Sequence, residues 1–145
     1  MFLGIHVCTL DKQNHLLAPR AVQEQFIGDL YICRGFDHNL LILTENSFQE
    51  VYRRVMSLNL TDPLARLLFR LILGSASQIV VNESGQLNIP PGLIQFAEIQ
   101  EQAIAIGMGD YLEIWSPDLW KKQEEELKDT EKNSARFSGL SIATR

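Results

Sequence analysis

Two cysteines and two histidines near the start of the chain have side chains that can bind a metal or act as nucleophiles. His6 and Cys8 alternate onto one face of a predicted strand, and Cys33 and His38 follow further along. Zinc prefers thiolate and imidazole ligands, but this spacing fits no zinc finger or ribbon. Nothing around either cysteine resembles a loop that activates a catalytic thiol. We therefore predict no metal, no cofactor, no catalytic residue and no small-molecule substrate, and we expect both thiols to be reduced and buried.

Two other features could contact phosphate, and each has a simpler interpretation. Gly107 and Gly109 lie between two predicted strands, where a hairpin turn is more common than a phosphate loop. Arg53 and Arg54 lie in a predicted helix, and a solvated helix face accounts for both. An enzyme is therefore the least favoured class of function.

Charge is distributed unevenly along the 145 residues. The formal net charge is −5, and 46% of the residues are hydrophobic, as in a soluble globular protein. Residues 1–70 carry seven cations and seven anions, whereas residues 71–120 carry six anions and no lysine or arginine. The second stretch should repel phosphate. Since no apolar run approaches the roughly 20 residues that cross a bilayer and the first residues do not resemble a secretory signal, we expect a cytoplasmic protein without membrane contact.

The sequence contains an internal repeat. The segment D-K-Q-N-H-L-L-A-P at 11–19 resembles N-E-S-G-Q-L-N-I-P at 82–90, and L-L-I-L-T at 40–44 resembles L-E-I-W-S at 112–116. The offsets are 71 and 72 residues, and this agreement favours a true repeat over a chance similarity of two hairpins. Each copy is too small for an extensive core, so we expect the two copies to share one.

The hydrophobic pattern predicts the same elements in both copies. Each copy begins with a hairpin that has a polar loop, at 12–14 and 83–85, and Gly85 can supply a positive φ in the second loop. The predicted strands are 4–10, 16–18, 30–34, 40–43, 78–81, 87–89, 103–106 and 111–115, and short helices are predicted at 20–26 and 92–96.

A longer helix is predicted over 47–58, with Ser47 as its N-cap and Glu50 completing a capping box. A charged helix is predicted from Leu119 to about Lys132. Beyond it, residues 133–145 are small and polar and are expected to form a flexible tail.

The helix between the copies is the most apolar element. Asp62 is its predicted N-cap, Pro63 suits its first position, and the helix should end near Gly74. Because it is apolar nearly all round, a small chain can hardly bury it alone. We expect contacts with another part of the chain or with another subunit, and the candidate interface residues are Leu67, Phe69 and Leu71.

Several short motifs together resemble one family. They are M-F-x-G at 1–4, L-D at 10–11, L-x-A-P at 16–19, the helical segment 62–75, G-x-L-x-I-P at 85–90, and L-E-I-W at 112–115 followed by Trp120. In combination they are similar to the MraZ family over about residues 1–125.

The resemblance implies an α+β fold that is mainly β: a pseudo-twofold, two-copy, swapped-hairpin (double-split) β-barrel of the AbrB-like kind with flanking helices. We expect one domain over residues 1–132, with copy one at 1–58, the linking helix at 62–74 and copy two at 75–125. The resemblance also implies a ring-shaped homo-oligomer. Its function would be that of a sequence-specific, nucleoid-associated transcriptional regulator that binds direct repeats in the promoter of the division and cell-wall gene cluster.

Members of the family carry an Asp-x-x-x-Arg signature in each hairpin, and this chain departs from it. Copy one keeps Asp11 but has His15 at the arginine position, and copy two has Asn82 and Gln86. Arginine can donate two parallel hydrogen bonds to guanine or phosphate, whereas glutamine is neutral and histidine carries at most one charge. An oligomeric scaffold that has lost DNA binding is therefore the alternative hypothesis.

Hairpin one is the expected DNA contact, because hairpins can enter a major groove as β-ribbons and copy two has Glu83 where copy one has Lys12. Hairpin two is expected to complete the barrel. The candidate DNA-binding residues are Asp11, Lys12, Gln13, Asn14, His15 and Arg20.

Overall fold

The computed structural model describes residues 1–142, in which eight strands and six helices form. The strands are β1 (Ile5–Leu10), β2 (His15–Leu17), β3 (Leu30–Arg34), β4 (Leu40–Thr44), β5 (Ser77–Ile79), β6 (Gln86–Asn88), β7 (Gln102–Gly107) and β8 (Tyr111–Trp115). The helices are α1 (Arg20–Gln23), α2 (Glu45–Met56), α3 (Pro63–Ile72), α4 (Pro91–Phe96), α5 (Pro117–Leu127) and α6 (Thr130–Phe137).

All eight strands belong to one antiparallel sheet with the order β5-β3-β4-β8-β7-β1-β2-β6. The chain beyond β5 returns to the far edge, where Val81 forms a bridge with Leu87 of β6. The sheet therefore almost closes on itself, which confirms the expected α+β fold built on a β-barrel with flanking helices.

The order β-β-α-β-β-α occurs twice, and each second element begins 71 or 72 residues after its counterpart. Strands of one half pair with strands of the other: β1 with β7, β2 with β6, β3 with β5 and β4 with β8. This interleaving is what a swapped-hairpin barrel requires.

Apolar side chains from both halves fill the barrel interior. The most completely buried of them are Cys8, Leu16, Leu30, Ile32, Leu40, Ile42, Leu87, Ala97, Ala103, Ala105, Leu112 and Ile114. The two halves therefore share the barrel core, as the repeat length predicts. A second, smaller cluster of Cys33, Leu43 and Ile72 packs with side chains of α2 and α3.

Both cysteines are free and buried, as expected. Burial raises the pKa of Cys8 to about 11 and that of Cys33 to about 12, since a thiolate is poorly solvated in the interior. Both thiols therefore stay protonated and unreactive near neutral pH.

The strand predictions are correct to within two residues, and the start of α2 is a correction. Thr44, the last residue of β4, is the N-cap, and its Oγ1 accepts a hydrogen bond from the Ser47 N–H. Thr44 is extended, so the strand passes directly into the helix two residues before the predicted start. Ser47 is not the cap; its hydroxyl donates to the Asp110 carbonyl at 2.9 Å.

The linking helix α3 begins as predicted, because the Asp62 carboxylate accepts from the Leu64 N–H at 2.9 Å and Pro63 takes the first position. It ends at Ile72, slightly before the predicted end. Ala65 and Ile72 are buried on its inner side.

The prediction of one helix over residues 119–132 is wrong, because two helices occupy this region. Ser116 caps α5 through the Leu119 N–H, and Asp129 caps α6 through the Lys132 N–H. The second cap starts a new helix, so the predicted boundary at residue 132 falls inside α6.

The last part of the expected tail, residues 143–145, lies outside the described residues. In residues 1–142 no helix has the length and apolar character needed to span a membrane.

Candidate nucleic-acid interface

The loop between β1 and β2, residues 11–15, is here called loop one. The Asp11 N–H donates to the His15 carbonyl at 3.0 Å, and the Asn14 N–H donates to the Asp11 carbonyl at 3.1 Å. The Asp11 Oδ1 atom accepts from the backbone N–H groups of Gln13 and His15, both at 2.9 Å. The Asp11 carboxylate therefore shapes the loop from inside, as turn-forming aspartates do.

The second carboxylate oxygen of Asp11 faces the imidazole of His15. Oδ2 lies 3.3 Å from His15 Nδ1, and both side chains are partly exposed. The pKa of the Asp11 carboxyl is lowered, first by the His15 backbone N–H and further by the Gln13 N–H and the His15 ring. Asp11 is therefore ionised at neutral pH.

The corresponding segment before β6, residues 82–86, is here called loop two, and it has the same backbone hydrogen bonds. The Asn82 N–H donates to the Gln86 carbonyl at 2.9 Å, and the Gly85 N–H donates to the Asn82 carbonyl at 3.0 Å. Asn82 Oδ1 accepts from the Ser84 and Gln86 N–H groups, both at 2.9 Å. The changes from Asp to Asn and from His to Gln therefore leave the loop geometry intact.

The two loops also have the same left-handed residue. Asn14 has φ 65° and Gly85 has φ 77° at equivalent places. A Cβ at Gly85 would collide with the Gln23 side chain, which itself donates to the Ala18 carbonyl at 2.7 Å. Loop two therefore lies against the Gln23 side chain of α1, and glycine suits this position because its φ is positive.

Strands β2 and β6 place the two divergent signature positions side by side. In their antiparallel ladder His15 pairs with Asn88 and Leu17 with Gln86, while Leu16 and Leu87 point into the core. His15 and Gln86 are diagonal neighbours, about 7–8 Å apart by the usual sheet geometry. We call the outward-facing set His15, Leu17, Gln86 and Asn88 the β2–β6 face.

Gln86 and Asn88 were not predicted as site residues. The signal for both was present, because the repeat aligns Gln86 with His15 and the buried Leu87 fixes the alternation of inward and outward residues.

Three cationic side chains of copy one, of which Lys12 and Arg20 are predicted DNA contacts, have different surroundings. Lys12 is exposed in loop one, with no carboxylate oxygen within 4 Å of its amine among residues 1–142. Arg20 opens α1, is highly exposed and lies 3.7 Å from Glu24. Arg34 packs over the Phe96 ring, 5.1 Å from its centre. Lys12 is therefore the cation best placed for a phosphate, whereas loop two has the exposed acid Glu83 at the same position.

The three candidate interface residues of α3 differ in burial. Leu71 is half-buried against the cluster of Cys33, Leu43 and Ile72, and Phe69 is also half-buried. Leu67 is 59% exposed, so the chain itself does not bury it. Leu67 instead lines an open apolar groove together with Leu58, Leu64 and Leu68.

No group of three or more histidine, cysteine or acidic side chains within residues 1–142 is arranged to hold a metal ion. The hydrogen-bonding chemistry on this side of the barrel is that of exposed carboxylate, imidazole, amide and ammonium groups.

Comparison with known proteins gives a consistent result. A family model described as "MraZ protein, putative antitoxin-like" matches residues 72–139. A protein of Herpetosiphon aurantiacus named transcriptional regulator MraZ is 35% identical over 129 residues, covering 89% of this chain and 90% of that protein. Proteins with the same name from Thermomicrobium roseum and Limosilactobacillus fermentum are 34% and 32% identical, covering 88% and 98% of this chain and 89% and 100% of those proteins. The names describe regulators and not enzymes, in agreement with the sequence-based expectation.

Proposed function

The chain belongs to the MraZ family of transcriptional regulators, and on this premise we propose that it binds promoter DNA through loop one, loop two and the β2–β6 face. The observation that supports this most strongly is the repeated loop geometry. Two polar loops with equal backbone hydrogen bonds flank one exposed strand pair. Such a surface resembles a two-stranded ribbon with hydrogen-bonding side chains, and DNA grooves accept such ribbons.

Loop one supplies the phosphate contact in this proposal. Lys12 adds a positive charge there, and each phosphate that it neutralises releases counterions. Loop two lacks a cation and carries Glu83, so its contribution is limited to hydrogen bonds from neutral side chains. Arg20 at the start of α1 adds a second exposed cation in copy one.

One barrel offers only a few contacts, so assembly is part of the proposal. A ring of identical chains would present the same weak site repeatedly, and direct repeats in a promoter would then be bound with high effective concentration. The exposed apolar groove of α3, with Leu67 at its rim, is the surface that we propose for contact between subunits. By the family resemblance, the target would be the promoter of the division and cell-wall genes, and the protein would act in the cytoplasm at the nucleoid.

The competing function is that of an oligomeric scaffold, a ring that binds proteins and has lost the ability to bind DNA. The absence of both signature arginines and the presence of Glu83 favour this alternative. A gel shift with DNA from the region upstream of the protein's own gene, at two salt concentrations and with unrelated competitor DNA, separates the two. Shifted, salt-sensitive and sequence-selective binding supports the regulator, and absence of any shift supports the scaffold.

The Lys12→Ala variant is expected to bind all DNA sequences more weakly and to flatten the plot of log affinity against log salt by about one unit. The matched control is Lys122→Ala, which removes the same charge from α5 and should leave the slope unchanged. Glu83→Lys should leave binding unchanged or strengthen it. An unchanged slope for Lys12→Ala, measured by fluorescence anisotropy, would remove loop one from the proposed phosphate contact.

A further inference from the structure

The hydrogen bonds of Asp11 determine which ring nitrogen of His15 carries a proton. Asp11 Oδ1 is occupied by two backbone N–H groups, so Oδ2 is the atom that faces His15 Nδ1. An ionised carboxylate can only accept. Nδ1 therefore carries the proton in the neutral ring as well as in the charged one. The outward nitrogen, Nε2, is then an acceptor in the neutral ring and a donor in the charged ring.

The side chains of loop two have the opposite hydrogen-bond polarity. Asn82 Oδ1 is held by the Ser84 and Gln86 N–H groups, so its amide nitrogen faces Gln86 and donates to Gln86 Oε1 at 3.2 Å. This leaves the Gln86 Nε2 amide directed elsewhere, with no hydrogen-bond partner among residues 1–142. Gln86 therefore presents donor hydrogens at any pH.

We propose that the two loops present opposite hydrogen-bonding groups to DNA, and that His15 changes from acceptor to donor when it is protonated. The inference rests on the proposed DNA binding. At neutral pH, His15 Nε2 can accept from an exocyclic amino group of cytosine or adenine, while Gln86 donates to a purine N7 or to a phosphate. In acid, loop one gains a cationic donor suited to guanine or phosphate.

The charged groups around His15 support such a change. Among residues 1–142, Asp11 supplies the carboxylate that lies within 4 Å of the His15 ring. Lys12 supplies the positive charge in loop one. The neighbouring strand β6 consists of Gln86, Leu87 and Asn88, none of which titrates, and Glu83 lies beyond it in loop two. Histidine side chains change charge between about pH 5 and 8. A proton on the His15 ring therefore adds one positive charge to a loop that otherwise carries one carboxylate and one ammonium group.

Ring-nitrogen NMR on the full-length protein without DNA tests the assignment directly. The signals of His15 are assigned as those that are missing from the spectrum of the His15→Gln variant. At pH 7.8 they are expected to be those of the Nδ1–H tautomer. The decisive variant is Asp11→Asn, which copies loop two. Its amide nitrogen should face His15 Nδ1 and convert the neutral ring to the Nε2–H tautomer. An Nε2–H tautomer in the wild type, or no change in Asp11→Asn, overturns the proposal.

Binding to the upstream duplex at pH 5.8 and 7.8 tests the consequence. The wild type should bind about tenfold more tightly at the lower pH, the size expected for one charge-assisted contact. His15→Gln is the matched control, since Asp11 should orient its amide to leave an oxygen outward, an acceptor that does not titrate. Its affinity should change much less with pH. Equal pH responses of the two proteins would overturn the inference.

The two measurements separate the possible failures. No DNA binding by the folded wild type at either pH overturns the proposed function and the DNA role of His15 together, whatever the NMR result. Binding with the wrong tautomer overturns only the assignment of donor and acceptor.

Discussion

Leu67→Asp is expected to convert the proposed oligomer into single chains of 16.5 kDa. Leu67 is 59% exposed on α3 and lines the apolar groove with Leu58, Leu64 and Leu68. Burying a carboxylate in an apolar contact between subunits is strongly unfavourable. Because the side chain lies outside the core of its own chain, the barrel should remain folded.

The loss of assembly should also weaken binding to a repeat-containing promoter by about 100-fold or more, because avidity commonly contributes a factor of that size. Light scattering at micromolar concentration measures the mass, and anisotropy with one-repeat and multi-repeat duplexes measures the avidity. The control Leu140→Asp places the same charge at another exposed leucine, beyond α6. A wild type that is monomeric, or a Leu67→Asp variant that assembles normally, contradicts the proposed ring contact.

Leu87→Ala is expected to lower the free energy of unfolding by about 2–5 kcal/mol, the usual range for a fully buried leucine. Leu87 is completely buried, pairs with Leu16 across the β2–β6 ladder and forms the bridge with Val81 that nearly closes the barrel. For a protein of this size the melting temperature should fall by about 4–20 °C.

Calorimetry at one fixed protein concentration is the appropriate measurement, since the proposed assembly would make the melting temperature depend on concentration. The shared core predicts one cooperative transition in both the wild type and the variant. The control Leu140→Ala changes an exposed leucine and should shift the transition little. Two separate transitions would show that the halves fold independently, and an unchanged melting temperature would show that Leu87 does not close the core.

Much of the fold follows from the sequence because the repeat constrains it twice. Leu16 and Leu87 occupy the same place in each copy, and both are inward residues of a three-residue strand. The pairing of β2 with β6 could not be predicted in this way. A strand of three residues has too short a pattern to identify its partner, and Leu16 and its partner Leu87 are 71 residues apart. The pairing is specified only when the whole barrel forms.

The errors in the helices have a local physical origin. Thr44 and Ser47 can both cap a helix, and the choice depends on where β4 stops, which composition does not reveal. Asp129 lies within a charged run that continues the helical pattern, but its side chain instead caps α6.

The candidate site was predictable in part. Loop one was identified from its polar composition, and the structure adds a contact between Asp11 and His15 that was not predicted from the sequence. The role of Gln86 depends on its position diagonally opposite His15, which exists only after β2 and β6 pair. The hydrogen-bond polarity of His15 and Gln86 is still harder to predict from sequence. It depends on which side-chain atom of Asp11 or Asn82 already accepts from backbone N–H groups.

DNA recognition by the two loops is tested by comparing the wild type with a Lys12→Ala, His15→Ala, Gln86→Ala triple variant by fluorescence anisotropy. Both are titrated against the upstream duplex and against a shuffled duplex of equal composition, after circular dichroism and light scattering have shown equal fold and mass. We expect the wild type to prefer the upstream duplex by at least about tenfold, as one or more base contacts would give, and the triple variant to lose this preference. A wild type without preference, or a triple variant that binds like the wild type, would contradict the claim that these loops read DNA.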